Sequence, residues 1–320
     1  MLEIHRARIT AIAGARSVRE LQSHLQDALE LKIAVIPLYL TAMFSLCARS
    51  NGAIREMVRG AVVDQMLHIA LFANILNAMR CPPVLCASKS PRGYPVCLPL
   101  DASGAAFGLK QFSADLVRDV FMRLEPTVSE DSSHPVAGAH GTLEQFYDAL
   151  IAKIEELGDA GFIGDPARQF VDAVSYSERE LFKIHDAASA VRALRLISNQ
   201  GNDRASGAAR RQRLSQIRFA SLPDAAALDP AGVIDIVENS RASMYRQGSA
   251  ERTMVDAFNE AYGKVLTALD ETFKGKPERY EHAVAGMYRL TSLARSIVAV
   301  DLGNGTFAAP SFECCEQSEA

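Results

Sequence analysis

The feature that most limits how this chain can fold is the run from Met57 to Met79, MVRGAVVDQMLHIALFANILNAM. Read as a helix, this run carries apolar side chains on nearly every side, and such a helix belongs in the interior of a helical bundle. A polar side chain buried in that interior must find a partner. The polar exceptions in the run are Arg59, Asp64, Gln65, His68, Asn74 and Asn77.

Two long helices are predicted at this end of the chain. The first spans about 18 to 49, where apolar residues recur at three- and four-residue steps, and Pro37 should kink it. The second spans about 53 to 79 and ends before the Cys81-Pro82-Pro83 segment. Since only the short turn at Asn51-Gly52 joins the two helices, they should be antiparallel neighbours.

Helical periodicity continues through most of the remaining sequence. Further helices are expected after Gly141 and at about 110–124, 177–198, 207–219, 230–245, 250–274 and 277–299. Residues 80–109 and 126–141 are rich in loop-forming residues, and strand-like alternation is almost absent. The predicted class is therefore all-α, with one domain over residues 1–320. Its parts are a core bundle at about 18–220, C-terminal helices at about 230–300 and an irregular tail at 301–320.

Composition narrows the classes of partner. Of the 320 residues 48% are hydrophobic, so a sizeable core is possible. The formal net charge of -4 gives no basic excess, which argues against nucleic acid and anionic membrane surfaces as partners. We found no secretory leader pattern and no long uncharged apolar span. We therefore expect a cytoplasmic protein whose partner is a small-molecule substrate, with a homodimer as the expected assembly.

The six cysteines do not have the spacing of a zinc site. Cys81 and Cys86 flank a Pro-Pro pair, and Cys314 and Cys315 are adjacent near the end of the sequence. Free thiols are the expected state of cysteines in the cytosol. The adjacent pair is also compatible with redox chemistry.

Lys32 is the main oddity of the first helix, because it shares an apolar stripe with Leu25, Leu29, Ile36 and Tyr39. A lysine in this position either extends its ammonium group outward to water or lies buried beside an anion such as Asp64. A buried lysine is a candidate base or nucleophile.

Gln65 and His68 are the corresponding oddities of the second helix. They are three residues apart and should share a face with Val58, Val62 and Phe72. Asp64 and His68 are four apart and can also meet. The alternative for His68 is a hydrogen-bonded core histidine without a chemical role.

Two segments that carry these residues resemble a known family. LQDALELKIAVIPLYLTAMFSL and VVDQMLHIALFANILNAMRCPPVL resemble the ferritin-like domain of iminophenyl-pyruvate dimer synthases, which include the imine-dimerising enzyme of violacein-type biosynthesis. Weaker likeness occurs in TLEQFYDAL, AVRALRLISNQGN, FNEAYGKVL and TFAAPSFE. The resemblance implies a ferritin-like helical bundle in which metal-ligating side chains project inward from the helices.

Most positions that the resemblance assigns to metal ligands hold other residues here. Lys32 and Ile33 stand where the family has an acidic residue followed by His, and Gln65 replaces Glu in a Glu-x-x-His motif that keeps His68. The remaining acidic or histidine positions hold Gln145, Asn199, Asn202 and Gln216. Helical spacing places Gln145 away from the apolar stripe of its own helix. Of the expected ligand set only His68 remains.

These replacements share a physical direction. Carboxylates crowded into a bundle core need a cation to offset their repulsion and desolvation, whereas amides do not. An amide-rich cavity with one lysine is what a metal-free descendant of such a site would contain. We therefore expect no cofactor and no metal.

Three functions fit this pattern. The first is a metal-independent enzyme of natural-product biosynthesis that carries out cyclisation, condensation, or tautomer or imine chemistry on a largely apolar small molecule. Lys32, His68 and Asp64 would be catalytic, and the substrate-binding residues would be Gln65, Tyr39, Asn202, Gln145 and Phe72.

The second function is a residual iron or haem oxidase or oxygenase that uses His68 and Asp64 with a loop residue such as His134 or His140. The third is a non-catalytic protein, derived from an enzyme, that binds a small molecule or acts as a scaffold. Loss of the ligands is compatible with the third function as well as with the first.

Overall fold

The structure is a computed structural model that describes residues 2–85, 93–124, 139–198 and 228–313. The chain begins with strand β1 (Glu3–His5) and helix α1 (Arg6–Gly14). β1 pairs antiparallel with β4 (His140–Thr142), and β2 (Val96–Cys97) pairs antiparallel with β3 (Ala106–Phe107). These strands are two or three residues long, and helices make up most of the described chain.

Helices α2 (Gln22–Phe44) and α3 (Gly52–Ala78) form the centre of the fold. A 3-10 turn, Val18–Leu21, precedes α2, and the helix continues through Pro37. α2 and α3 pack along their length, which confirms the predicted antiparallel pair. In α3 every residue from Leu67 to Ala78 is buried, as expected of a helix that is apolar on all sides.

Shorter helices surround this pair. Residues 114–124 form α4 (Ala114–Leu116), a π-helical turn (Val117–Phe121) and α5 (Met122–Leu124). α6 (Leu143–Leu157) packs against α1 and α7 (Ala187–Ile197), and α7 also packs against α3. The fold class is therefore all-α, as predicted.

Helices α8 (Ala250–Phe273) and α9 (Tyr280–Ile297) form an antiparallel pair beside α2 and α3. The Nδ2 of Asn77, near the end of α3, donates to the carbonyl of Phe273, at the end of α8, over 2.7 Å. The carboxyl-terminal ends of α3 and α8 therefore meet, so α8 is parallel to α3 and α9 is antiparallel to it.

Two differences from the predicted elements have physical causes. The helix predicted over 230–245 is wrong: the region contains only the 3-10 turns Pro230–Gly232 and Ala242–Met244. Between them, backbone groups bond to distant segments, for example Val237 N to the Phe307 carbonyl over 2.9 Å. The helix predicted from 177 begins only at Ala187, because Asp186 and Ser189 form a capping box there.

Helix α1 and the four short strands were not anticipated from the sequence. The helix predicted over 207–219 lies outside the described residues. The assignment of a single domain stays a prediction.

Within the described ranges, α3 is the one helix whose length and apolar composition would allow it to cross a membrane. Its apolar window is 83% buried inside the protein. A helix at the centre of a packed core meets the same two criteria, and the burial of α3 accounts for its composition.

The close approach of Gly164 to the end of α3 leads to a first prediction. A Cβ atom on Gly164 would lie 1.9 Å from the carbonyl oxygen of Asn77 and 2.8 Å from that of Ala78. Both atoms belong to backbone, which cannot rotate away as a side chain can. Gly164→Ala should therefore lower the free energy of unfolding by about 3 kcal/mol in urea denaturation.

Gly263 provides the matched control for that substitution. It lies within α8, and a Cβ there would meet no atom within 4 Å. Gly263→Ala should stabilise the protein by about 1 kcal/mol through higher helix propensity. Equal effects of the two substitutions would contradict the steric explanation.

His24 on α2 leads to a prediction about pH. Burial and the nearby Arg8 lower the pKa of His24 below 6.5, although Asp27 acts in the opposite direction. Its Nδ1 is buried without a hydrogen-bond partner among the described residues, and its ring lies 6.5 Å from that of Phe146. The folded state therefore favours the neutral imidazole.

At pH values between the lowered pKa of His24 in the folded protein and its ordinary pKa, the unfolded chain binds more protons than the folded protein does. The free energy of unfolding should therefore rise with pH through this window, and the loss appears as the pH falls below about 6.5. His24→Leu should reduce this slope in urea denaturation curves recorded between about pH 5 and pH 8. An unchanged slope would show that other groups cause the acid sensitivity.

Candidate functional site

Lys32 lies in the interior of the protein. Its side chain is on α2 in the apolar stripe, and the residue is 2% exposed, so it does not extend to water as a surface lysine would. Of the two alternatives left by the sequence, the structure therefore shows the buried one. A cation in this position requires electrostatic compensation from its surroundings.

The polar residues of α3 are buried as well. Asp64, Gln65 and His68 are 3%, 2% and 1% exposed. Asp64 Oδ2, Gln65 Oε1 and His68 Nδ1 are all shielded from solvent. Because α2 and α3 are antiparallel neighbours, the core of one helix pair holds a lysine, a carboxyl group, an amide and an imidazole. For their shared burial on these two neighbouring helices, we refer to Lys32, Asp64, Gln65 and His68 as the buried polar cluster.

Ring contacts show which elements lie beside α2 and α3 near these residues. Phe72, one turn after His68 and two turns after Gln65, has its ring centroid 6.3 Å from that of Tyr147 on α6. Because residues four and seven apart share a helix face, Gln65 and His68 face the α6 side of the bundle. On α2, the ring of Tyr39 lies 4.5 Å from that of Phe121 in the π-helical turn.

Gln145 does not belong with these residues. Its Oε1 accepts a hydrogen bond from the Thr142 backbone N–H at 3.1 Å, and its own N–H donates to Thr142 Oγ1. This capping box begins α6. The prediction that Gln145 binds substrate is therefore corrected, because its side chain caps the amino-terminal end of α6.

The other predicted positions fall outside the described residues. These are Asn199, Asn202 and Gln216 from the amide series, and His134 from the metal alternative. His140 is described, but it lies at the surface on β4, with its Nδ1 3.2 Å from the Glu3 carboxylate and its ring 5.4 Å from that of His5. It is not directed into the bundle.

Ferritin-like metal centres use a Glu from each of two helices and a Glu-x-x-His pair from each of the other two. Within residues 2–85, 93–124, 139–198 and 228–313, no group of three His, Cys, Asp or Glu side chains could hold a metal ion. The α3 motif has Gln65 in the Glu position, and α2 places the Lys32 ammonium group in the same core. The donor set of the described residues therefore does not fit a dinuclear metal centre.

The cysteines within the described residues are free thiols, as expected from the sequence: Cys47, Cys81 and Cys97. Burial raises the pKa of Cys81, whereas hydrogen bonds from the Arg49 and Ser50 backbone lower that of Cys47. Cys86, Cys314 and Cys315 lie outside the described residues.

An apolar cavity is the feature that the sequence did not reveal. It lies between α2, α3, α8 and α9 and has a volume of about 200 Å³. Its walls include Ile36, Leu40, Val62, Met66, Leu266 and Met287. None of the four residues of the buried polar cluster lines it.

Val62 therefore lines the apolar cavity and does not share a face with Gln65 and His68, although the helical spacing had predicted a shared face. It lies on the side of α3 that faces α8 and α9. Helical periodicity gave the angle between these residues, but the neighbours on each side of α3 come from distant parts of the chain.

Comparisons with known proteins agree with this architecture. A sequence profile described as ferritin-like matches residues 25–217, which is more than half of the chain. The crystal structure of a ferritin-like protein from Caulobacter vibrioides is similar, with a TM-score of 0.65 and 21% sequence identity, over 92% of this chain and 98% of that chain. At that identity the likeness concerns the fold alone. None of the curated proteins compared with this chain matches it. The helical architecture and the profile match together show that the chain belongs to the ferritin-like family.

Proposed function

We propose that this protein is a metal-independent enzyme of natural-product biosynthesis that moves protons within a largely apolar small molecule. The observation that carries the proposal is the buried polar cluster. Lys32, Asp64, Gln65 and His68 are each at most 3% exposed and lie on two neighbouring antiparallel helices. Buried ionisable groups are costly to stability, and they concentrate at functional sites.

The residue types of the cluster suit acid–base chemistry next to a carbonyl group. His68 is the candidate base that removes a proton from the carbon beside the carbonyl, and the Lys32 ammonium group donates a hydrogen bond to the oxygen that becomes negative. Return of the proton at another position gives the tautomer. The same intermediate can close a ring or attack a second molecule, so cyclisation and condensation belong to the same reaction class.

The surroundings support an apolar and partly aromatic substrate. The two helices that carry the cluster also carry buried aromatic residues: Tyr39 on α2 contacts Phe121, and Phe72 on α3 contacts Tyr147. Aromatic walls with a few polar groups are typical of small-molecule sites. The resemblance of α2 and α3 to iminophenyl-pyruvate dimer synthases supports an aromatic substrate with an imine or enol group, and Gln65 would orient that group.

A non-catalytic small-molecule-binding protein is the second candidate function. The apolar cavity favours it, because the cavity contains none of the four cluster residues. A protein that had lost its chemistry but kept a ligand would need only such a cavity. No geometry among the described residues favours the iron or haem alternative.

Metal content tests the metal-independent part of the proposal. We expect elemental analysis of protein purified without chelator to show no stoichiometric iron or manganese, and the absorption spectrum to lack a haem band. A stoichiometric metal or haem would overturn this part. The ligands would then have to include residues beyond those described.

Product formation tests the cluster. In a producing strain whose metabolite profile depends on this gene, Lys32→Met and His68→Phe should each lower the product by about 100-fold or more. The exposed Lys110, which lies 3.8 Å from Glu238, gives the control Lys110→Met with unchanged product. Circular dichroism should show that both cluster variants remain folded, so that the loss of product is not due to unfolding. Unchanged product in both would rule out catalysis by the cluster.

A further inference from the structure

The apolar cavity has two unlike ends, which follow from the directions of the helices. At one end lie Ile33, Ile69, Leu85 and Leu269, all buried and all apolar. At the other end, near the start of α3 and the end of α9, the lining includes Arg59 and Thr291. The cavity therefore offers an apolar interior and one polar mouth.

Within the described part of the chain, one charged side chain, that of Arg59, lines the cavity at its mouth. Arg59 is exposed, and its Nε and Nη2 both donate to Glu56 Oε2, over 2.8 and 2.5 Å. One turn before Arg59 on α3 is Arg55, and one turn after Thr291 on α9 is Arg295. The Arg55 Nη1 donates to the Leu46 carbonyl over 3.2 Å, and neither Arg55 nor Arg295 lines the cavity. The Arg59 guanidinium group at this mouth therefore favours an anionic group there.

The size of the cavity limits the body of a ligand. A dry cavity of about 150 Å³ lined by Leu, Ile and Phe binds benzene. In proportion, a cavity of about 200 Å³ holds an apolar body of about eight carbon atoms. Branched and thioether side chains line the walls, so van der Waals contact rather than hydrogen bonding would hold that body.

We propose that the cavity between α2, α3, α8 and α9 binds a small amphipathic carboxylate, with its alkyl or monocyclic aromatic body inside and its carboxylate at Arg59. This site is separate from the buried polar cluster. Gln65 and His68 face the α6 side of α3, whereas Val62 and Met66 face α8 and α9. The proposal therefore does not depend on the proposed catalytic function.

Calorimetric titration of the full chain with octanoate, octan-1-ol and octylammonium tests the site. We expect octanoate to bind most tightly and octylammonium least tightly. Val62→Phe places a larger side chain in the cavity and should lower the binding affinity for all three probes by about ten-fold. The control Val174→Phe replaces a valine that is 97% exposed and should change none of them.

Arg59→Gln tests the carboxylate contact. This variant should lower the affinity for octanoate by about three- to five-fold, since the ion pair is exposed, and leave the affinity for octan-1-ol unchanged. The control Arg118→Gln removes another exposed arginine, which is paired with Asp115 and Asp119, and should affect neither probe.

Absence of binding by all three probes at millimolar concentration would overturn the proposal. Binding that Val62→Phe leaves intact, in a variant that unfolds like the parent protein, would also overturn it, because the probes would then bind elsewhere. Equal binding of octanoate and octylammonium would refute the assignment of a carboxylate. None of these results bears on product formation by the Lys32 and His68 variants, so the two proposals fail independently.

Discussion

Replacing Lys32 with methionine should lower the free energy of unfolding by about 3–5 kcal/mol, because it removes a buried cation from a core that also holds the Asp64 carboxyl group. Methionine matches the length of the lysine stem, so packing changes little. The cost arises from the carboxylate that is left without compensation. Urea denaturation at neutral pH measures the effect.

The double variant Lys32→Met/Asp64→Asn separates compensation of charge from packing. Once the carboxylate is removed as well, most of the lost stability should return, which gives a coupling energy of about 2–3 kcal/mol in the double-mutant cycle. Strictly additive effects of the two single substitutions would show that Lys32 does not compensate Asp64.

Lys153 offers a matched control for this cycle. It is 6% exposed on α6, but its Nζ reaches the exposed Glu156 carboxylate over 2.7 Å. Its ammonium group therefore lies at the protein surface although its stem is buried. Lys153→Met should lower the free energy of unfolding by less than about 1 kcal/mol. A cost similar to that of Lys32→Met would remove the distinction between the two lysines.

The substitution Asn74→Leu should also lower the free energy of unfolding by about 4 kcal/mol. The Asn74 Nδ2 donates to the carbonyls of Phe170 and Phe182 over 2.8 and 3.0 Å, and the Asn74 Oδ1 accepts from the Phe170 backbone N–H over 2.8 Å. Leucine is of similar size but leaves three buried backbone groups without these bonds, each at a cost of about 1–3 kcal/mol.

Hydrogen exchange at the Phe170 amide reports the same effect locally, and its protection should fall in the Asn74→Leu variant. The control Asn304→Leu removes the hydrogen bond that the exposed Asn304 Oδ1 accepts from the Thr306 N–H, and it should lower the free energy of unfolding by less than about 1 kcal/mol. Unchanged protection of Phe170 would mean that the bonds of Asn74 do not hold the segment before α7 against α3.

These residues show how far the sequence predicts the fold. The run from Met57 to Met79 predicted a central helix and the need for partners to Asn74 and Asn77, and both predictions are confirmed. Asn77, like Asn74, donates to backbone carbonyls, those of Arg168 and Phe273. The partners themselves lie about 90 to 200 residues further along the chain, and local periodicity cannot identify them.

The sequence also predicted too much helix in one region. Residues 230–245 have a composition compatible with a helix, yet their backbone bonds to Ser45, Leu109 and Phe307 in other parts of the chain. Long-range backbone pairing prevailed over weak local propensity there. Gln145 is a similar case, because a resemblance between sequences suggested a ligand position whereas the local structure is a helix cap.

By itself the sequence determined the central helix pair, the all-α class and the places of Lys32 and Gln65 among the apolar residues of that pair, because these depend on residue type and on periods of a few residues. Only the tertiary structure decided whether Lys32 reaches water, since a helical stripe shows which residues share a face but not what covers that face. The same holds for the apolar cavity. Its walls come from helices more than 200 residues apart in the sequence, and only their packing places Arg59 at its mouth.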